Sequence, residues 1–266
     1  MKLLITGAGG SVATLVRPLL QREGLEVVLT SMRAEFSGLA PHESYISCDL
    51  CDEAAVSKLL GDVDGVIHLA GQATEASFET VFHKNLFATY HLYEAIRHSE
   101  KRPRVLFAST NHTIGYHSVD TVLDGNSPTR PDTLYGVSKV CCEQLAQFYF
   151  DAYGIETVSV RIGSLFAEPL NHRMLTTWMS PRDFASLCMA VFDAPVTGCF
   201  AMYGGSKDSE KWWSNEHASV LNWAPQDSTE QWQDQFSPTG DPDSLANRFQ
   251  GGEMIYAAHP TERHHD

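Results

Sequence analysis

The chain has 266 residues, 43% hydrophobic and 20% charged, which is room for one large domain or one domain with a small appendage around a substantial core. Its 33 acidic residues against 19 Lys and Arg leave a formal net charge of -14. Such a surface repels nucleic acid and anionic membranes, and any anion site on it needs local positive charge of its own.

The opening MKLLITGAGG has an apolar run that stops after Leu3, Leu4 and Ile5, too short for a signal peptide. No later stretch has the length to span a bilayer, so a cytoplasmic protein is expected. KLLIT, EVVLT, SYISC, DGVIHLA and RVLFAST read as buried strands, and 12–23, 53–60 and 78–99 carry helical periodicity. LYGVSKVCCEQLA begins a further helix, with Val137, Val140, Leu145 and Phe148 as its apolar positions, and TVSVRIG is a strand after it. This alternation predicts an α/β fold, a doubly wound parallel sheet of the Rossmann type, with a dinucleotide-binding core over residues 1–163. Beyond Gly163 come shorter helices, one strand (GCFAMYG) and a Trp-rich stretch at Trp212 and Trp213. Residues 164–266 are therefore expected to form a small substrate-binding cap, not an independent domain. Cys48 and Cys51 make a C-x-x-C with no second pair at zinc spacing, so all six cysteines are expected to be structural thiols and no metal is expected. The closing PTERHHD reads as a frayed tail.

The first strand ends in TGAGGSVA. Gly7 and Gly10 keep a G-x-x-G spacing, with Ala13 where a third glycine often sits. Strand, tight glycine turn and helix start form a cradle for a dinucleotide pyrophosphate, since backbone N–H groups face the anion. Nucleotide choice rests on the end of the second strand, LTSMRAE, which offers Ser31 and Arg33 and no acidic residue for the ribose 2′-OH of NAD. The pattern favours NADP, or use of both cofactors. Asp49 can reach an adenine ring or cap the next helix. Leu69, Ala70 and Gly71 end the fourth strand with room for a close backbone approach.

The fifth strand ends in FASTNHTIGYH. Thr110 supplies a hydroxyl at a strand carboxyl end, where ligands bind in such sheets, and Asn111 and His112 follow into the same crevice. Tyr135 and Lys139 stand four residues apart on one helix face, a spacing at which an ammonium can lower a phenol's pKa. Taken alone, that pair is common on helix surfaces. Together with the glycine turn and Thr110, in this order, the residues resemble the extended branch of the short-chain dehydrogenase/reductase superfamily. The resemblance implies Tyr135 as acid/base, Lys139 as the group that lowers its pKa and holds the nicotinamide ribose, and Thr110 as the group that orients the substrate oxygen.

FASTNHTIGY, LYGVSK, VRIGS, RMLTTW, GCFAMYGGS, SEKWW and FQGG look like bacterial uronate dehydrogenases over nearly the whole chain. That likeness implies oxidation of an aldohexuronate at C1 to the aldarolactone, with the sugar acid held by Thr110, Asn111, His112, Ser164 and Arg173. An Arg just past the last core strand suits a sugar carboxylate, because it is always charged and bidentate. The expected cofactor set also includes Ser11, Val12, Leu50, Asn85 and Ile162. Two positions depart from the family. Met32 stands where those enzymes carry an acidic residue, and Gln72-Ala73 replaces a serine contact that Gln72 or Thr74 can take over. Two rivals stay open: a nucleotide-sugar epimerase or dehydratase, for which some 100 residues after Gly163 is short, and a non-catalytic NAD(P) sensor, which would not need Thr110, Tyr135 and Lys139. The sequence leaves a monomer or a homo-oligomer equally open.

Overall fold

The computed structural model describes residues 1–258, and the PTERHHD tail lies outside the described residues. Seven strands, β1 (Lys2–Thr6), β2 (Glu26–Ser31), β3 (Glu43–Ser47), β4 (Gly65–His68), β5 (Arg104–Thr110), β6 (Thr157–Ile162) and β7 (Cys199–Gly204), join in one sheet. All neighbours are parallel, in the order β3-β2-β1-β4-β5-β6-β7. Every strand expected from the sequence is present. The central strands are continuous apolar runs because helices cover both faces.

Leu3 and Ile5 point to one face, where α1 (Ser11–Val16) and α7 (Pro181–Asp193) bury Ala13, Val16, Phe184, Leu187 and Val191. Leu4 points to the other, under α2 (Glu53–Leu59), α4 (Ala88–His98) and α5 (Leu134–Tyr153), which contribute Val56, Leu92, Tyr93, Ala146 and Tyr149. The fold is the doubly wound sheet that the alternation predicted. Strand order reverses between β1 and β4, so the connections leaving their carboxyl ends part and open a crevice there.

Several elements differ in detail from expectation. The helix predicted over 12–23 passes after Val16 into a 3₁₀ turn, Arg17–Leu19, around Pro18, which cannot donate to a continuing helix. The 78–99 helix is divided into α3 (Phe78–Phe82), a π turn (His83–Phe87) and α4, and the π turn buries Asn85. On α5 the helix is where the sequence puts it, but the buried stripe is Tyr135, Ser138, Lys139, Cys142, Glu143, Ala146 and Tyr149. Phe148, one of the apolar positions that suggested the helix, is exposed. The polar members of the stripe are satisfied inside: Glu143 pairs with Arg161 at 2.8 Å and accepts from Ser109 at 2.5 Å.

The sheet also extends past residue 163, because β7 pairs with β6 from Thr157↔Cys199 to Ile162↔Gly204 and α7 packs beneath it. What lies outside the layers is built from short pieces, among them a two-residue strand pair (Ser164–Leu165 with Trp178–Met179) and α6 (Met174–Thr177). Trp213 stacks on Tyr203 of β7 at 5.1 Å and ties this part to the sheet. No helix among the described residues is long and apolar enough to cross a membrane. All six cysteines are free thiols, and no metal-binding group of three His, Cys, Asp or Glu occurs among the described residues.

Candidate active site

Two adjoining cavities open along the carboxyl edge of the sheet. The larger, about 560 Å³, is lined by Gly7, Gly10, Ser31, Arg33, Asp49 and Leu50, with Leu69, Ala70 and Gly71 from the end of β4. The smaller, about 410 Å³, shares Leu69, Gly71 and Gln72 with it and adds Val12, Ile162, Tyr135 and Lys139. It also gathers Ala73, Thr110, Asn111, His112, Ser164 and Arg173. The candidate site residues therefore meet at one crevice, except Ser11, Thr74 and Asn85, which line neither cavity.

The larger cavity has the features a dinucleotide needs. Gly7 has φ +69° and passes so close to Ala70 that a Cβ would stand 2.7 Å from its backbone nitrogen. Gly10 caps α1 with no side chain over the first turn. Both keep bare backbone facing the cavity, as a pyrophosphate requires. Asp49 does not cap α2. Asp52 does, accepting from the Ala55 N–H, while Asp49 accepts from Cys51 N–H at 2.9 Å and stays at the cavity wall. Arg33 lays its guanidinium over the glycine turn, donating to the Gly9 carbonyl at 3.3 Å, whereas Met32 is 68% exposed.

A buried polar chain supports the boundary between the cavities. His68 sits between Thr6 (2.7 Å) and Thr89 (3.1 Å), and Thr89 donates to the Asn85 carbonyl. Burial holds the His68 pKa down to about 3, so its imidazole is neutral at physiological pH. The amide of Asn85 bonds the Gln72 backbone N–H and carbonyl and Ser138, whose hydroxyl donates to the Tyr135 carbonyl. Glu75, which the sequence did not single out, accepts from the backbone N–H groups of Leu134 and Tyr135 at 3.1 and 2.9 Å. It thereby fastens the loop after β4 to the first turn of α5. Glu75→Ala is expected to cost about 1 kcal/mol, the scale of a lost helix cap, seen as a lower Tm. An unchanged melting temperature would mean that these bonds contribute nothing in solution.

Tyr135 is buried and hydrogen-bonded to Thr110. Lys139 Nζ donates to the Ala108 carbonyl at 2.8 Å and lies 4.6 Å from the centre of the Phe107 ring. The expected lowering of the Tyr135 pKa is not produced by the protein's own groups. Burial pushes it up to about 12, against the opposing pull of the Thr110 bond. Burial also holds Lys139 below the ordinary lysine value.

Across the smaller cavity, Arg173 caps α6 and donates through Nη2 to the Gln250 carbonyl, which also accepts from Asn111 Nδ2 at 3.2 Å. Its Nε is buried with no hydrogen-bond partner among the described residues. Burial lowers the Arg173 pKa to about 10, so the guanidinium remains charged at neutral pH. Gln250 belongs to the FQGG segment, whose backbone forms part of this wall. Gln250 is anchored by Trp213 Nε1 at 2.9 Å, and Gly252, at φ +62°, leaves room for Arg173, whose Nε a Cβ would meet at 2.5 Å. Glu253 and Met254 then complete the wall. Ser164 shares a 2.9 Å hydrogen bond with Thr177. Gln72 donates to Thr74 at 2.9 Å and borders both cavities.

A Rossmann crevice with a glycine turn, and with a buried Tyr and Lys one helical turn apart at its mouth, defines a dinucleotide-binding protein of the short-chain dehydrogenase/reductase type. The family model for the NAD dependent epimerase/dehydratase family matches residues 3–187, and the chain belongs to that family. It is 42% identical to the uronate dehydrogenase of Agrobacterium fabrum over 257 residues, 96% of each chain. Among solved structures, a glucuronic acid dehydrogenase from Chromohalobacter salexigens superposes with a TM-score of 0.92 at 42% identity, covering 98% of each chain. A uronate dehydrogenase variant from Agrobacterium tumefaciens in complex with NAD gives 0.89 at 42% identity, covering 96% of each.

Proposed function

We propose that this chain is an NAD(P)-dependent uronate dehydrogenase that oxidises the C1 hydroxyl of an aldohexuronate to the aldarolactone. The observation that carries the reading is Arg173. A charged guanidinium with an unmet, buried donor shares one cavity with the Tyr135–Thr110 pair, and a sugar carboxylate satisfies it. The full-length likeness to uronate dehydrogenases supports the same substrate class. It also favours this reading over a nucleotide-sugar epimerase or a cofactor sensor.

In this reading Thr110 and Tyr135 hydrogen-bond the ring hemiacetal hydroxyl, and the Tyr135 phenolate takes its proton. Arg173 holds the carboxylate, and Asn111, His112, Ser164 and Gln72 face the remaining hydroxyls. Lys139 stabilises the phenolate. The glycine turn at Gly7 and Gly10 would hold the cofactor's pyrophosphate, with Asp49 and Leu50 at the adenine end. When bound, the oxidised nicotinamide dinucleotide supplies the hydride acceptor and a positive charge at the site. Purified protein assayed at 340 nm with galacturonate, glucuronate and mannuronate against NAD and NADP tests the function. Absence of turnover with every uronate would refute it.

Cofactor choice is the finer part of the proposal. NAD use is supported by the relatives. Arg33 at the glycine turn and the solvent-facing Met32 leave no carboxylate there to repel a 2′-phosphate. NADP is therefore expected to serve at least as well as NAD. Arg33→Ala is expected to lower kcat/KM for NADP by about tenfold, the value of one charge-assisted hydrogen bond, and to leave NAD little changed. A strong NAD preference untouched by the substitution would return Arg33 to the role of a surface charge.

A further inference from the structure

Asp132, which neither a motif nor helical spacing marks in the sequence, has a side chain fully shut off from solvent. Its two oxygens face His112 Nδ1 at 3.1 and 3.0 Å. Thr133 Oγ1 adds a longer bond of 3.3 Å. The chain is kept bare around this carboxylate: a Cβ on Gly115 or on Gly251 would collide with it. His112 lines the same cavity as Arg173, with its ring centre 6.1 Å from that of Tyr135. A buried carboxylate only accepts hydrogen bonds, so the nitrogen facing it must carry a proton.

We propose that Asp132 is a positioning residue that holds a proton of His112 on Nδ1, so that the ring turns its Nε2 lone pair into the substrate cavity and accepts from a sugar hydroxyl. The consequence is a polarity across the cavity. Arg173 can only donate and recognises a carboxylate. His112, with its lone pair forward, accepts a hydroxyl and repels a carboxylate. A uronate is then held one way round, with the acid at Arg173 and C1 left beside Tyr135. The sugar's identity here rests on the function proposed above; the tautomer does not.

Nitrogen-15 NMR of the histidine-labelled, full-length protein reads the tautomer directly, the His112 signals being those lost in His112→Asn. The wild type is expected to show Nδ1–H with an unprotonated Nε2. Asp132→Asn keeps the shape but can turn an amide N–H toward Nδ1, and it is expected to move the proton to Nε2. With it, KM for glucuronate should rise by about tenfold or more while the dinucleotide KM stays unchanged, the usual scale for a partner that orients a working histidine. An Nε2–H tautomer or a doubly protonated ring in the wild type at neutral pH overturns the proposal and needs no variant to be stable. So does a KM rise without a change of tautomer, which would leave Asp132 a packing role, or a change of tautomer that leaves KM as it was. If no uronate is turned over by the wild type, the substrate assignment falls while the wild-type tautomer still decides this one.

Discussion

Tyr135→Phe is expected to reduce turnover by about 10²–10⁴-fold, the range attributed to general acid–base catalysis, while dinucleotide affinity stays nearly as it was. Phenylalanine keeps the ring in its buried place beside His112 and loses only the hydroxyl that bonds Thr110. The pH dependence follows from the sign of the shift. The base is the phenolate, and burial, against the opposing pull of the Thr110 bond, leaves the phenol at about 12. At neutral pH the protein's own groups leave the proton on, so kcat/KM for the uronate should climb as pH rises toward the pKa that Tyr135 has in the productive complex. Lys139 is the cation placed to bring that value down, and Lys139→Met should move the climb to higher pH. Initial rates across pH, with cofactor affinity measured by fluorescence titration, check both statements. A Phe variant that keeps more than about a few per cent of wild-type rate would remove Tyr135 as the base.

How much of this was legible in the sequence depended on whether the signal was local. Strands such as GVIH and RVLFAST are covered on both faces and so carry consecutive apolar residues, Val66-Ile67 and Val105–Ala108, without polar alternation. The glycine turn stands next to the strand and helix that give it meaning, and Tyr135 and Lys139 report their shared face by spacing alone. The failures share a cause as well. Helix α5 buries a stripe that is half polar, so its apolar residues point partly outward and the pattern located the helix without locating its inner face. The π turn at His83–Phe87 leaves no mark in composition, yet it buries Asn85 against the loop at Gln72. Glu75, Asp132 and Gln250 act on residues 60, 20 and 77 positions away, and no window on the sequence spans such contacts. Burial holds the Tyr135 phenol above its ordinary value although a Lys stands four residues off, because the fold sends that ammonium to the Ala108 carbonyl.

Arg173→Lys is expected to raise KM for uronates by about tenfold or more, because one charge-assisted hydrogen bond of a bidentate pair is worth roughly 1.5–3 kcal/mol and 1.4 kcal/mol is a factor of ten. The substitution preserves the charge and removes the fork. In the wild type Nη2 is occupied by the Gln250 carbonyl, and the buried Nε has no hydrogen-bond partner among the described residues. A lysine ammonium can serve the carbonyl or the ligand but cannot reproduce the planar arrangement that serves both. It would also suffer the burial that already draws Arg173 down to about 10, starting from a lower ordinary pKa, so part of its charge would be lost at mildly alkaline pH. The comparison that isolates the carboxylate is a neutral sugar. Wild type should strongly prefer glucuronate to glucose in kcat/KM, and the variant should narrow that ratio chiefly by losing ground on glucuronate. Equal wild-type activity on the two sugars would show that no carboxylate is recognised, and the unmet donor of Arg173 would then need another ligand.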